Sequence, residues 1–167
     1  MNRLSAVVLS AAALQFAACA PHRTILDPPV GSSVGLPTAG PVQLEALRQE
    51  ATSWLGAPYQ FGGNARTGID CSGLVHNVFT VLSMDLPRTV ETLYGVGVPV
   101  DRSRLRLGDL VFFRFKGNQG PTHVGIYLGG GQFIHASIES GVRTNTFEDG
   151  AYGENFVGSR RILDAQG

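Results

Sequence analysis

Cysteine is scarce: the 167 residues hold two, Cys19 and Cys71. Cys19 closes an apolar leader, and if it is consumed there, Cys71 has no disulfide partner in an exported protein. Excess charge is lacking too. Lys plus Arg and Asp plus Glu stand at 13 each, so nothing electrostatic argues for nucleic acid or a strongly acidic surface. The apolar run from Leu4 to Ala18 is about 15 residues, short of the ~20 that a membrane-spanning helix needs. There are no internal repeats, and no CxxC or HxxxH pair to start a metal site. Two histidines and one distant cysteine without a fourth ligand do not make a zinc site.

Glycine is abundant, with 22 residues falling mostly at turns between short strands. Residues 1–19 read as an export leader: Arg3, an uncharged stretch, then Ala17-Ala18-Cys19 in the manner of a bacterial lipobox, with Phe16 where Leu is usual. Cys19 is the expected site of lipidation. Ala20 rather than Asp follows it, the pattern of outer-membrane delivery. Residues 20–41 carry five prolines with Gly and Ser, which predicts an extended tether that does not pack. Residues 42–167 are then one catalytic-sized domain, large enough to bury a core.

Leu74, Val75, Val78, Phe79 and Leu82 recur at helical spacing directly after Cys71, placing the thiol at a helix N-terminus. There the helix's partial positive charge favours thiolate. A small buried residue capping a core helix is the other use of such a cysteine. A nucleophile needs a base, and the base needs an orienting group. His22 falls in the tether. His76 lies roughly 140° round the helix from Cys71 and points away from the sulfur. His123-Val124-Gly125-Ile126-Tyr127-Leu128 alternates as a strand, and Gln132 to Ser137 returns after Gly129-Gly130-Gly131. With a three-residue loop Leu128 pairs with Gln132, His135 faces Gly125, and His123 and His135 share one face as diagonal neighbours. His123 is then the base and His135 its orienting partner.

The remaining signals predict a helix over 43–55, a short helix after Arg88-Thr89, and strands near 110–115, 122–128, 132–137, 141–146 and 156–164. Helices first and strands later give an α+β fold, with the Cys71 helix packed on an antiparallel sheet.

Gly56-Ala57-Pro58-Tyr59-Gln60-Phe61-Gly62-Gly63, Gly68-Ile69-Asp70-Cys71-Ser72-Gly73, Leu86-Pro87-Arg88-Thr89, Leu107-Gly108-Asp109-Leu110, the His123 strand and Phe133-Ile134-His135-Ala136-Ser137 together resemble the NlpC/P60 family of cell-wall cysteine peptidases. The resemblance runs from about Val42 to Leu163. It implies a papain-like fold with five to six antiparallel strands, and it makes Cys71 the nucleophile, His123 the base and His135 the third polar residue. It implies further that Tyr59 lines the cleft and helps hold substrate or oxyanion. Backbone N–H groups beside Ser72 become oxyanion donors, and Asp70 anchors substrate amine or the local turn, or caps the helix. Arg88 and Asp109 match family positions read as structural. Leu93 stands where close relatives often carry glutamine.

The function so implied is hydrolysis of an amide in the peptidoglycan stem peptide or cross-link through a Cys71 thioester, with no metal or organic cofactor. Acyl transfer or amidase chemistry on the same machinery, and a non-catalytic wall-binding lipoprotein, are the alternatives. The expected setting is the bacterial envelope, lipid-anchored at the outer membrane and facing the periplasm. The expected partners are peptidoglycan stem peptides and the membrane, with a regulatory adaptor or protease, a monomeric state and no nucleic acid.

Overall fold

The computed structural model describes residues 35–165 apart from 116 and 118. The leader over 1–19, its Cys19 and His22 lie outside the described residues, as does most of the tether. Its last residues do not form a free tether. β1 (Thr38–Ala39) pairs in parallel with β10 (Asp164–Ala165), Ala39 is buried, and α1 (Pro41–Ser53) begins inside the expected linker. Pro41 can open that helix because a first-turn residue has no N–H obligation to meet. The helix also ends two residues earlier than its apolar spacing predicts, with Gly56 at φ +82° turning the chain away.

After α1 the chain makes a short hairpin, β2 (Asn64–Ala65) with β3 (Gly68–Ile69), and enters α2 (Cys71–Thr80). Leu74, Val75, Val78 and Phe79 lie on one side of α2 and are 0% exposed. Burial of this kind stabilises by about 1.5–3 kcal/mol per side chain, which is why the helix docks with this face inward. α3 (Val90–Tyr94) is capped by the Thr89 side chain.

The main sheet is antiparallel and six-stranded, in the order β4 (Val98–Pro99), β9 (Phe156–Arg161), β5 (Leu110–Phe113), β6 (His123–Gly129), β7 (Gln132–Ser137), β8 (Gly141–Thr146). A one-turn helix, α4 (Tyr152–Asn155), precedes β9. Alternation sets the two faces. Leu110, Phe112, Val124, Ile126, Ile134 and Ala136 join the helices in one core, while Val111, Phe113, Phe133 and Phe147 form a second cluster on the opposite face. A buried ion pair ties the sheet to the loop before it. Arg161 Nε and Nη2 donate to Asp109 at 2.9 and 2.7 Å, and Arg106 N donates to the same carboxylate at 2.7 Å. Asp109 is therefore structural, as its position predicts.

The β6–β7 hairpin differs from expectation at its tip. Ile126 faces Ile134 and Tyr127 faces Phe133, the register that alternation predicts, but Gly129 rather than Leu128 faces Gln132. Gly130 and Gly131 take φ of +58° and +81° and close a two-residue turn whose twist suits the flanking strands. The residue left over, Leu128, is absorbed as a bulge, and its carbonyl accepts from Arg48 Nη1 of α1 at 2.7 Å.

Candidate active site

Cys71 is the first residue of α2, and Asp70 is its cap. Oδ1 of Asp70 accepts from Gly73 N (2.7 Å), Ser72 Oγ (3.0 Å) and Arg88 Nη1 (2.6 Å), while Oδ2 accepts from Gly62 N (2.9 Å). Arg88 also donates to Ser72 Oγ at 2.7 Å and to the Gly63 carbonyl. One carboxylate thus joins the helix start, the loop before it and the segment leading to α3. Burial alone would raise the Asp70 pKa, but the bonds from Arg88, Gly73 and Ser72 bring it below the ordinary value. The capping reading of Asp70 is what the geometry shows, and the hydroxyl of Ser72 is engaged inside this network. Tyr59 is held beside Cys71 because Gln60 N donates to the Ile69 carbonyl and Ile69 N to the Pro58 carbonyl, stapling its loop to β3. Its hydroxyl pKa is raised by burial and then by the nearby Cys71 and Asp70 charges. Tyr59, Asp70, Cys71, Ser72 and Arg88 line a single cavity of about 340 Å³.

The sulfur meets the sheet where β6 begins. The backbone N–H groups of Val124 at the start of β6 and of Ser72 at the start of α2 favour negative charge on it. His123, the residue before Val124, directs its ring to His135, with Nε2 of His123 and Nδ1 of His135 2.8 Å apart. Gly125 makes this possible. A Cβ there would fall 2.9 Å from the Phe133 ring and 3.4 Å from the His135 Cβ, so only glycine lets β7 approach closely.

Beyond His135 the chain of contacts continues through residues that the sequence did not single out. His135 Nε2 lies 3.0 Å from Asn145 Oδ1, and Asn145 Nδ2 donates to Asp149 Oδ2 at 3.0 Å. The Tyr152 hydroxyl lies 3.4 Å from His135 Nε2. These contacts assign the protons in turn. Asp149 accepts only, so Asn145 presents its oxygen to His135, whose Nε2 carries hydrogen. His135 Nδ1 is then an acceptor, and His123 Nε2–H donates to it. The remaining nitrogen of His123, Nδ1, is left with a free lone pair: a base with its tautomer fixed. The only sequence signal for Asn145 was its place on β8, two residues on from Arg143, which faces His135.

The helix field that favours a thiolate is opposed at Cys71 by burial. Burial pushes the Cys71 thiol up to about 11 against its N–H donors, and burial with the neighbouring His135 brings His123 down to about 3. His135 is likewise lowered by burial, in part offset by its bond to Asn145. Desolvation thus opposes the charged form of each group, the thiolate of Cys71 and the imidazolium of His123. His76 plays no part here: its Nδ1 donates to the Leu86 carbonyl at 2.9 Å. Leu93 is fully buried in the core and does not line the cleft. Among the described residues no three His, Cys, Asp or Glu side chains are grouped to hold a metal ion.

Acyl transfer through a thiol, served by an imidazole of fixed tautomer on a neighbouring strand, is the chemistry of a cysteine peptidase, and the α+β scaffold that presents it is papain-like. Residues 56–161 match the NlpC/P60 family, and the chain belongs to that family. It is 39% identical over 122 residues to the probable endopeptidase NlpC of Escherichia coli, covering 71% of this chain and 78% of that protein. To the murein DD-endopeptidase MepS/murein LD-carboxypeptidase of the same organism it is 40% identical over 118 residues, 70% of this chain and 62% of the relative. The crystal structure of an NlpC/P60 family protein from Bacillus cereus superposes with a TM-score of 0.69 at 32% identity, over 80% of this chain and 43% of that one.

Proposed function

We propose that this chain is a peptidoglycan endopeptidase that cuts an amide of the murein stem peptide or cross-link. The relatives' names supply the substrate. The observation that carries the chemistry is the hydrogen-bonded sequence from Asp149 through Asn145 and His135 to His123 at the edge of the Cys71 cleft. His123 Nδ1 takes the thiol proton as the sulfur attacks the carbonyl carbon, so charge separates only when substrate is in place. The oxyanion is received by backbone N–H groups at the start of α2, beside Ser72. His123 then protonates the leaving nitrogen, the C–N bond breaks, and a Cys71 thioester remains. Water, deprotonated by His123, attacks the thioester and restores the thiol.

The same reading places the enzyme in the bacterial envelope. Lipid on Cys19 would hold it to a membrane, in the pattern of outer-membrane delivery, while the domain works on the wall from the periplasmic side. Radiolabelled palmitate should enter the wild-type chain in cells and not Cys19→Ser; equal labelling removes the anchor.

Mass spectrometry of purified peptidoglycan incubated with the protein, beside Cys71→Ala, tests the activity. New fragments that require Cys71 are expected, and their masses name the bond. Cys71→Ala should keep its stability within roughly 1–2 kcal/mol, as for a residue kept for reactivity. No fragments from folded wild-type protein would overturn the hydrolase reading, and new amide products with an added amine would replace it with acyl transfer.

A further inference from the structure

Among the described residues the partly buried arginines are Arg48, Arg88, Arg160 and Arg161. All but one deliver their guanidinium to oxygen. Arg48 donates to the Leu128 carbonyl, Arg88 to Asp70 and Arg161 to Asp109. Arg160, on β9, is the exception. Its Nε is closed off from solvent and has no acceptor among the described residues. The contact its side chain does make is with the ring of Tyr94, whose centre lies 4.7 Å from the guanidinium carbon. A cation taken partly out of water without an acceptor is costly, and an orphaned donor of this kind marks the place of an absent partner.

The guanidinium is also held in place. Tyr94 donates from its hydroxyl to the Val157 carbonyl at 3.1 Å and packs edge-on against Phe112, with ring centres 5.0 Å apart. Gly158 permits this, because a Cβ there would fall 2.8 Å from the Tyr94 hydroxyl. The cavity beside Arg160 is about 360 Å³, at the small end of ligand sites and larger than a bare oxyanion fills. Val100 and Val157 give it apolar walls. Arg104 lines it too, and its side chain has no acid partner among the described residues. Arg102 on the same turn is by contrast engaged, 4.1 Å over the Phe147 ring and 3.5 Å from Glu148. Asp101 is the one acid among the described lining residues, so the charge there is net positive. This cavity has no lining residue in common with the Cys71 cleft.

We propose that the cavity between Tyr94, Arg104 and Arg160 is a binding site for a small organic oxyanion, a carboxylate or a phosphate ester. A guanidinium fork matches two oxygens of either group. Arg160 and Arg104 take the charged end, and the organic body lies against Val100 and Val157.

Spectra of ¹⁵N-labelled protein test this, with Arg160 Nε–H and the Gly158 amide as reporters. N-acetylglycine, glycerol 3-phosphate and inorganic phosphate are each added at constant ionic strength. A saturable shift is expected with at least one organic probe, at lower concentration than with inorganic phosphate; the tighter of the two tells carboxylate from phosphate ester. Followed at Gly158, Arg160→Gln should weaken binding about 10- to 100-fold, the scale of a lost charge-assisted hydrogen bond. Arg104→Gln, an exposed position on a turn where folding is not at risk, should weaken it several-fold, and Asp101→Asn should strengthen it. Cys71→Ala should leave it unchanged. No saturable shift with either organic probe overturns the proposal. So does a response to inorganic phosphate as strong as to both, an adventitious ion only, or an affinity that neither arginine variant alters.

Discussion

Replacing Asn145 by alanine should disarm the base without touching it. Asn145 is 9% exposed, and its Oδ1 is the 3.0 Å acceptor that holds hydrogen on Nε2 of His135. With the oxygen gone, the remaining partner of that nitrogen is the Tyr152 hydroxyl at 3.4 Å, too long to lock a tautomer. His135 is then free to move its proton to Nδ1 and donate toward His123, which must in turn put its own proton on Nδ1. In that form His123 cannot receive the proton of Cys71. A neutral hydrogen bond contributes about 0.5–1.5 kcal/mol and one to a charged group about 1.5–3 kcal/mol. The bond strengthens when His123 becomes imidazolium, so the larger range applies to the transition state. At ~1.4 kcal/mol per decade, kcat/KM should fall about 10- to 100-fold. The assay is steady-state cleavage of a purified muropeptide, with ¹⁵N-histidine spectra reporting the tautomers and urea unfolding confirming that the variant is folded. Wild-type spectra should show hydrogen on Nε2 of both rings, and the variant a mixture. Cleavage within twofold of wild type would refute the relay, as would unchanged tautomers.

Alkylation of Cys71 by iodoacetamide should still be accelerating between pH 8 and 10, because burial holds the thiol up to about 11; a plateau below pH 6 would show a resting thiolate–imidazolium pair and refute the neutral ground state. Acid should destabilise the fold early. His123 and His135 are held below their ordinary 6.5 by burial, so the unfolded chain binds more protons and stability present above pH 6.5 is lost as pH falls toward the folded values, about 3 for His123. Each histidine contributes up to ~1.4 kcal/mol per pH unit, so the urea midpoint should drop clearly from pH 6.5 to 5, and a flat midpoint contradicts this. Asp109→Ala strands the Arg161 guanidinium, whose side chain is 12% exposed, and should cost about 3–5 kcal/mol in urea unfolding. A loss under 1 kcal/mol would show that the pair is not structural.

The elements that place Cys71 and His123 were legible because their periodicities are strong. Five apolar positions after Cys71 specify a helix face, and the His123 strand alternates without error, so its register with β7 follows even though the turn does not. A two-residue turn plus bulge and a three-residue loop place the same side chains on the same faces. The rest depended on longer-range packing. The register of β8 against β7 rests on the connection at 138–140, which carries no turn signal strong enough to fix it, and so Asn145 and Asp149 stayed hidden. Strands of two residues such as β1 and β10 are shorter than any period. The helix N-terminus at Cys71 is visible in sequence, whereas the desolvation that opposes its field is a property of the assembled core.

The pairing of Thr38 with Asp164 brings the two ends of the described domain side by side. Pro37, Thr38 and Ala39 border the segment from Val81 to Met84, just past the last turn of α2, while Cys71 opens the first. Ten residues of helix put roughly 15 Å between those points. The β1–β10 junction is thus set about a helix length away from Cys71. A pull applied at Thr38 and Asp164 would load the β1–β10 pair, which is separate from the six-stranded sheet that carries His123 and His135.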